Sequence, residues 1–177
     1  GGAITVRYGD TMLLATATAS KKPKPGVDFL PLTVDVAEKA YAAGKLPGGF
    51  FKREGRPAAE AILASRMIDR PIRPLFSKTV HNEIQIIVTI LASDGVNPYP
   101  AIGIVGASAA LAISDIAFNV PIGACVIGLV DGELVVNPTY EELITSDLEL
   151  LVAGTGDATM MVESGGNFVS EEVLLDA

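Results

Sequence analysis

Alternation of apolar and polar residues predicts β-hairpins in both halves of the chain. Residues 6–17 alternate around Gly9-Asp10, which favours a turn, and so predict two antiparallel strands. Ile122–Val130 and Glu133–Val136 flank Asp131-Gly132, a dipeptide typical of a type I′ turn between strands. Further strands are predicted by the apolar runs Phe29–Val36, Ile84–Leu91, Leu148–Ala153 and Ala158–Val162.

Helical spacing of apolar residues predicts helices between these strands. One begins at Pro57, because proline is favoured at the first helical position, and ends at Asp69-Arg70-Pro71, because the residue before proline is disfavoured in a helix. Pro100–Ala112 predicts a second helix, whose glycines and alanines indicate close packing on a sheet and not a phosphate loop. A short helix is predicted at Tyr140–Ile144, and a last one follows the predicted turn Gly165-Gly166-Asn167.

The predicted order of elements is ββ-β-α-β-α-ββ-α-ββ-α. Grouped hairpins with interleaved helices are typical of an α+β domain with a mixed sheet and packed helices, not of a regular doubly wound fold. Lys21–Gly26 is basic and rich in proline, which predicts a loop that cannot continue a sheet. Ala40–Gly49 is rich in small residues and is also predicted to be a loop.

The composition indicates the size of the domain, the coverage of its surface and its location. The chain has 177 residues, 49% of them apolar, which is enough for one domain with a sizeable core. Charged residues make up 19%, below the usual value of about 25%, which suggests that other subunits cover part of the surface. No run approaches the roughly 18 apolar residues of a membrane span and no signal peptide is visible, so a cytoplasmic location without membrane contact is expected. Cys125 is the single cysteine, which excludes an internal disulfide, and it is expected in the core.

Charge is distributed very unevenly along the chain. The net charge is −8, yet residues 1–78 hold all 13 lysines and arginines, and residues 79–177 hold none. An acidic protein that concentrates its basic residues at positions 45–78 is expected to use that segment on an anion. The alternative is a patch that faces another subunit. Both ends of the sequence cut close to predicted elements, so we expect a fragment of a longer protein.

The most informative segment lies in a glycine-rich loop before the first helix. Phe50 and Phe51 stand next to Lys52 and Arg53, and Arg56 follows. Bases stack on aromatic rings with about 1–3 kcal/mol per base, while basic side chains hold the phosphates. The combination predicts a site for single-stranded RNA with little sequence preference. The alternative is that both phenylalanine rings fold inward and fill the core.

Three arginines follow this loop. Arg66 and Arg70 are four residues apart and so share a helix face, and Arg73 lies just past the predicted helix end. Asp69 is placed to pair with either Arg66 or Arg73. These arginines are candidates for anion recognition, which guanidinium groups perform through forked donors, or for a salt-bridge network at an interface.

Several motifs resemble the polynucleotide phosphorylase family. Residues 50–57, FFKREGRP, are similar to the FFRREGRP loop of that family, with Lys52 where arginine is usual. Residues 66–76, RMIDRPIRPLF, resemble the helix and turn that follow the loop. Further similarity lies in residues 41–48, 106–111, 137–139 and 152–155, so the resemblance covers essentially the whole chain.

The resemblance implies an RNase PH-like fold, also described as ribosomal protein S5 domain 2-like, with a βαβα core. It implies two such cores per subunit in a homotrimeric ring, with residues 1–170 as the first core and 171–177 as the start of a helix that leads to a linker helical domain. The implied reaction is reversible 3′-to-5′ phosphorolysis of RNA by inorganic phosphate, which releases nucleoside diphosphates with the help of Mg²⁺. RNA degradosome components are implied as possible partners. The RNA-binding residues carried over are Phe50, Phe51, Lys52, Arg53 and Arg56, together with Arg66, Arg70 and Arg73 as residues of the RNA path or of a domain interface.

The phosphate cradle of the family's second core has no counterpart here. In that core a Ser-Asn-Gly-Ser-Ser-Ser run opens a helix, whereas this chain has Ser93–Pro100. The serine hydroxyls are missing, Asp94 would repel phosphate, and Pro98 and Pro100 lack backbone donors.

The acidic site of the second core is also incomplete in this chain. Leu143 stands at the position of the family's first aspartate, and Leu151 stands at the position of its lysine. Asp147 and Glu149 are then either acids on a solvated strand edge or a remnant of that site. We therefore expect no catalytic residue and no metal site in this chain, and we expect Mg²⁺ in the second core of the parent protein.

Alternative interpretations are a single-core RNase PH or exosome-like ring subunit, and a purely structural ring domain without RNA contact. The Phe-Phe loop argues against the first alternative. The second would require the basic segment at positions 45–78 to be buried at an interface. His81 has no acid–base partner at recognisable spacing and is expected at the surface or an interface. No cluster of cysteines and histidines suits structural zinc.

Overall fold

The computed structural model describes residues 1–118 and 120–177. Its strands are β1 (Gly2–Tyr8), β2 (Thr11–Pro23), β3 (Leu32–Ala37), β4 (Asn82–Ala92), β5 (Gly123–Val130), β6 (Glu133–Val136), β7 (Leu148–Gly154) and β8 (Thr159–Gly166). Its α-helices are α1 (Ala59–Ile72), α2 (Pro100–Ala112), α3 (Tyr140–Thr145) and α4 (Glu171–Asp176), and Ala40–Ala43 and Arg73–Leu75 form 3₁₀ turns. The predicted order of strands and helices is confirmed.

The strands form two four-stranded sheets. The first has the order β1-β2-β4-β3 and is mixed, because β3 pairs with β4 in parallel and the other pairs are antiparallel. A parallel pair needs a crossover connection, which α1 supplies between β3 and β4. The second sheet has the order β6-β5-β7-β8 and is antiparallel throughout. The predicted α+β class with a mixed sheet is confirmed.

The second helix packs closely on the first sheet because its glycines leave room. A Cβ atom added at Gly106 would lie 3.0 Å from Leu13 Cδ1 and 3.2 Å from Ala15 Cβ. One added at Gly103 would lie 3.1 Å from Ile68 Cδ1 on α1. The prediction that these glycines are packing positions is confirmed.

The main core lies between the first sheet, the two long helices and the inner face of the second sheet. A smaller cluster, made of Ile127, Leu148 and Leu150, covers the opposite face of the second sheet. Cys125 is half-buried at the margin of this smaller cluster, so its predicted place in the core is wrong. None of the helices in the described residues is long and apolar enough to cross a membrane.

The boundaries of α1 differ from the prediction at both ends. Pro57 precedes the helix, since Ala58 is extended and the first turn closes with the Ile62 N–H donating to the Ala58 carbonyl. Pro71 lies inside the last turn instead of ending the helix. A proline there removes only one backbone donor, and the burial of Ile72 together with the Arg73 N–H bond to the Asp69 carbonyl stabilises the extra residues.

Two predicted loops belong partly to strands. The second strand continues to Pro23, which pairs with Asn82 after a register shift, so the basic segment extends the sheet before it turns. Proline is tolerated there because it stands at the last strand position. Gly165 and Gly166 pair with β7 and lie within β8, so the turn before α4 begins at Asn167 and not at Gly165.

Candidate nucleic-acid interface

Both phenylalanines of the loop before α1 are exposed. Phe50 is 95% exposed and Phe51 is 72% exposed. Their ring centroids lie 5.5 Å apart with an interplanar angle of 85°, the edge-to-face arrangement that aromatic quadrupoles favour. The prediction that at least one ring meets solvent is confirmed, and the alternative in which both rings fill the core is wrong.

Cationic side chains surround these rings. The guanidinium carbon of Arg53 lies 5.2 Å from the ring centroid of Phe51, within the usual range of a cation–π contact. Lys52 stands between these two residues and has a φ of 47°, in the left-handed region of backbone conformation. The side chains of Lys52, Arg53 and Arg56 are exposed, and within the described residues none of them forms an ion pair. The loop therefore presents aromatic faces and uncompensated positive charge together.

A groove of about 690 Å³ lies behind the loop, between β3, α1 and residues 54–58. Glu54 anchors this side of the loop, because its carboxylate accepts a hydrogen bond of 3.0 Å from the Ala40 N–H. Arg56 and Arg66 line the groove, so the structure brings one loop arginine and one helix arginine together. The groove has mixed charge, since its lining also contains Asp35, Glu38, Lys39, Asp69 and Arg73.

Arg73 is engaged in contacts inside the chain. Its Nε and Nη2 atoms donate to the two carboxylate oxygens of Asp69 at 2.8 and 2.7 Å. Its Nη1 and Nη2 atoms also donate to the carbonyl oxygens of Leu30 and Leu32 at 3.1 and 3.0 Å. The hydrogen bonds to Asp69 raise the Arg73 pKa, while partial burial opposes that shift. Arg73 therefore ties α1 to the start of β3, and Asp69 pairs with Arg73 and not with Arg66.

The other two helix arginines differ in their partners. Arg70 forms an ion pair with Glu163 on β8, which links α1 to the second sheet. Arg66 is exposed and makes no ion pair among the described residues. Of the three, Arg66 has the side chain that is most available to a bound anion.

The segment Ser93–Pro100, which is predicted to lack a phosphate site, leads into α2. A cavity of about 230 Å³ is lined by Pro98, Pro100, Glu149 and Glu163, and Glu163 forms an ion pair with Arg70. Within residues 1–118 and 120–177, no three His, Cys, Asp or Glu side chains are grouped to hold a metal ion.

Asp94 is a polar centre whose structural role the sequence analysis missed. Its carboxylate accepts hydrogen bonds from the backbone N–H groups of Asn97 and Val96, which hold the Asp94 pKa well below its usual range. The run Ser93-Asp94-Gly95 carried a signal for this turn, because aspartate side chains commonly bond the backbone two or three residues on.

His81 is half-buried, and its Nδ1 atom has no hydrogen-bond partner in the part of the chain that the structure describes.

The fold is the RNase PH-like fold. The chain superposes on a chain of the Archaeoglobus fulgidus exosome, solved with RNA bound to the active site, with a TM-score of 0.74. The superposition covers 99% of this chain and 76% of the exosome chain at 18% sequence identity. Because the two sequences are only 18% identical, the superposition supports a shared fold and no shared activity.

The chain belongs to the 3′ exoribonuclease family. The profile of domain 1 of that family matches residues 1–117, and the profile of domain 2 matches residues 121–177. The two matched segments meet between α2 and β5, where the chain passes from the first sheet to the second.

Among bacterial relatives, the chain is similar to polyribonucleotide nucleotidyltransferases. It is 55% identical over 177 residues to the enzyme of Heliobacterium modesticaldum and 58% identical over 176 residues to that of Syntrophomonas wolfei. The protein from Roseiflexus castenholzii is also 58% identical over 176 residues. These matches cover 99–100% of this chain but only 24–25% of the relatives, so the chain spans about a quarter of the length of these curated relatives.

Proposed function

We propose that the chain is the first RNase PH-like core of a phosphorolytic 3′-to-5′ exoribonuclease, a polyribonucleotide nucleotidyltransferase. In the parent protein, inorganic phosphate attacks the terminal linkage of single-stranded RNA and releases a nucleoside diphosphate. This core binds RNA and helps to build a homotrimeric ring, while a second core carries the chemistry. The observation that carries the proposal is the exposed pair Phe50 and Phe51 with cations beside it, in a chain more than half identical to such enzymes.

RNA binding by the loop follows from its exposed chemistry. An exposed aromatic ring can stack on any base, so Phe50 gives affinity without sequence preference. Lys52, Arg53 and Arg56 supply positive charge for the phosphates. Arg66 extends this charge along the groove wall, whereas the internal bonds of Arg73 support a positioning role. Arg70 belongs to an internal interface in the same proposal, since it already pairs with Glu163 on the second sheet.

A non-catalytic role for this core is supported by what surrounds the cavity beside α2. Pro98 and Pro100 have no backbone N–H to offer a phosphate, and Arg70 is already paired with Glu163. Leu143 and Leu151 supply no charged group. The Asp147 carboxylate accepts a hydrogen bond of 3.4 Å from Asn167 Nδ2 in the β8–α4 turn.

Further parts of the proposal concern the parent protein. Mg²⁺ belongs to the second core in this proposal, because Leu143 and Leu151 stand where that core has an aspartate and a lysine. The boundaries are a core at residues 1–170 and, from residue 171, a helix that leads to a linker domain. The protein works in the cytoplasm, with RNA degradosome components as partners.

Two alternative functions lead to different expected results. A single-core ring subunit of the exosome type shares the fold, but the high identity to polyribonucleotide nucleotidyltransferases favours the two-core enzyme. A purely structural ring domain would leave RNA affinity unchanged when the loop is altered. The exposure of Phe50 and Phe51 favours the RNA-binding role.

The test uses end-labelled single-stranded RNA and this chain alone, with Mg²⁺ and with or without inorganic phosphate. We expect binding without shortening of the RNA. The same assay on the parent protein should release nucleoside diphosphates only when phosphate is present.

Two results would contradict the proposal. Phosphate-dependent shortening of RNA by this chain alone would place a catalytic site within it. Absence of RNA binding, in a chain shown to be folded by circular dichroism, would remove the RNA-binding role and favour a purely structural domain.

A further inference from the structure

Five hydrogen-bond donors converge on one carboxylate at the start of α2. The Asp94 Oδ1 atom accepts from Thr11 Oγ1 at 2.9 Å and from the N–H groups of Val96 and Asn97 at 2.8 and 2.9 Å. The Oδ2 atom accepts from Asn97 Nδ2 at 2.6 Å and from the Asp10 N–H at 3.1 Å. Three of these donors are backbone N–H groups, the kind that form anion-binding nests in proteins.

The donors come from two segments that are far apart in sequence. Val96 and Asn97 belong to the loop before α2, whereas Asp10 and Thr11 belong to the β1–β2 turn, more than 80 residues earlier. An aspartate turn by itself needs only the donors of its own loop. The donors from the β1–β2 turn make this a cradle built by tertiary structure.

The β1–β2 turn is pressed against this cradle. Gly9 has a φ of +59°, and a Cβ atom added there would lie 2.3 Å from Asn97 Nδ2 and 2.9 Å from Asp94 Oδ2. Thr11 is buried, at 1% exposure, so its hydroxyl has little access to solvent. Without the carboxylate, the buried Thr11 hydroxyl would keep only its longer contact of 3.5 Å to the Asn97 carbonyl oxygen, so its hydrogen bonding would be weaker.

The charge of the carboxylate is balanced by dipoles more than by a neighbouring cation. Arg7, near the end of β1, pairs with the Asp10 carboxylate and donates to the Gly9 carbonyl, and among the described residues Asp94 forms no ion pair. The cradle is therefore suited to a small oxyanion with the size and charge of a carboxylate group.

We propose that Asp94 is the built-in occupant of an oxyanion cradle formed by the β1–β2 turn and the loop before α2. Removing its carboxylate uncovers a binding site for a small free oxyanion, such as formate or inorganic phosphate. A cradle that is filled by the chain's own side chain takes no phosphate from solution. The inference therefore rests on the proposed non-catalytic role of this core and gives a physical reason for it.

The test is the rescue of Asp94→Ala by added anions. Thermal unfolding of wild type, Asp94→Ala and the control Asp28→Ala is followed in sodium formate, sodium phosphate and sodium chloride at equal ionic strength. Asp28 is an exposed acid with no part in the cradle. An anion that binds only the folded variant, at ten times its dissociation constant, shifts the folding equilibrium by about tenfold.

We expect formate or phosphate to raise the unfolding temperature of Asp94→Ala in a saturable manner that chloride does not reproduce. Wild type and Asp28→Ala should respond to the three salts alike. The inference is wrong if neither formate nor phosphate exceeds chloride for Asp94→Ala, or if wild type gains as much as the variant.

A second variant covers the case in which Asp94→Ala does not fold. Asp94→Asn keeps one oxygen for the donors of its own loop but turns an amide group toward the Asp10 N–H, which then loses its acceptor. We expect faster hydrogen exchange of the Asp10 amide in Asp94→Asn than in wild type. Equal protection of that amide would overturn the cradle. Phosphorolysis by this chain alone would overturn the proposed function instead, whatever the anion result.

Discussion

Replacing both loop phenylalanines by alanine should weaken RNA binding without unfolding the protein. Phe50 and Phe51 are 95% and 72% exposed, so their truncation removes almost no core packing. The variant loses the edge-to-face contact between the rings, worth roughly 0.5–1.5 kcal/mol, and the contact of Arg53 with the Phe51 ring. Both contacts lie within the exposed loop, so the variant should stay folded, and a loss of RNA affinity in the folded variant would come from contacts with RNA.

The expected loss in RNA affinity follows from the stacking free energy. One base stacked on an aromatic ring contributes about 1–3 kcal/mol, which corresponds to about a 5- to 150-fold increase in the dissociation constant. Arg53 lies over the ring of Phe51, whereas Phe50 is almost fully open, so most of the loss should already be present in Phe50→Ala alone. In the parent enzyme, long RNA should lose more than short RNA, because only a long strand reaches both this loop and a distant active site.

The assay is fluorescence anisotropy with labelled single-stranded RNA, and the matched control is Phe168→Ala. Phe168 is also fully exposed but lies in the turn between β8 and α4. The reasoning is refuted if the double variant binds RNA like wild type, or if Phe168→Ala loses as much affinity. Equal losses for long and short RNA in the parent enzyme would refute the placement of the loop on the path of long RNA.

Three further predictions test other parts of the structure. Lys52→Glu with Arg53→Glu should weaken RNA binding and flatten its dependence on salt concentration, because fewer counterions are released; an unchanged slope in a salt titration would exclude phosphate contact by this loop. Arg73→Ala should lower the free energy of unfolding by about 1–3 kcal/mol, since two carbonyl oxygens and a carboxylate lose their donor, whereas Arg73→Lys should keep part of that stability; urea unfolding that finds no change in either variant contradicts the structural role. Gly106→Val should destabilise the protein by about 1–3 kcal/mol through overpacking against Leu13, and a neutral result in the same measurement would mean that α2 moves freely on the sheet.

Local signals in the sequence determined the order and type of the elements. Alternating apolar residues and the Asp131-Gly132 dipeptide predict the β5–β6 hairpin. In the structure both turn residues have positive φ, as a type I′ turn requires. Boundaries were predicted less well, since proline rules describe single residues while packing acts on the whole element. Pro71 stays within α1 because the burial of Ile72 and the bond from the Arg73 N–H to the Asp69 carbonyl outweigh one lost donor.

The candidate RNA site divides in the same way. The sequence by itself determined the residue types of the loop and the resemblance that points to RNA, because both depend on a contiguous run. Only the tertiary structure decided which arginines are available, since Arg70 pairs with a residue on β8 and Arg73 bonds to the start of β3. Arg66 forms no ion pair in the part of the chain that the structure describes. It also decided that Asp94 fills a cradle, because two of its donor residues stand more than 80 positions away and are brought near only when the β1–β2 turn packs against the loop before α2. Such long-range encounters leave no mark in the local pattern of the chain, and that is the physical reason the sequence could not determine them.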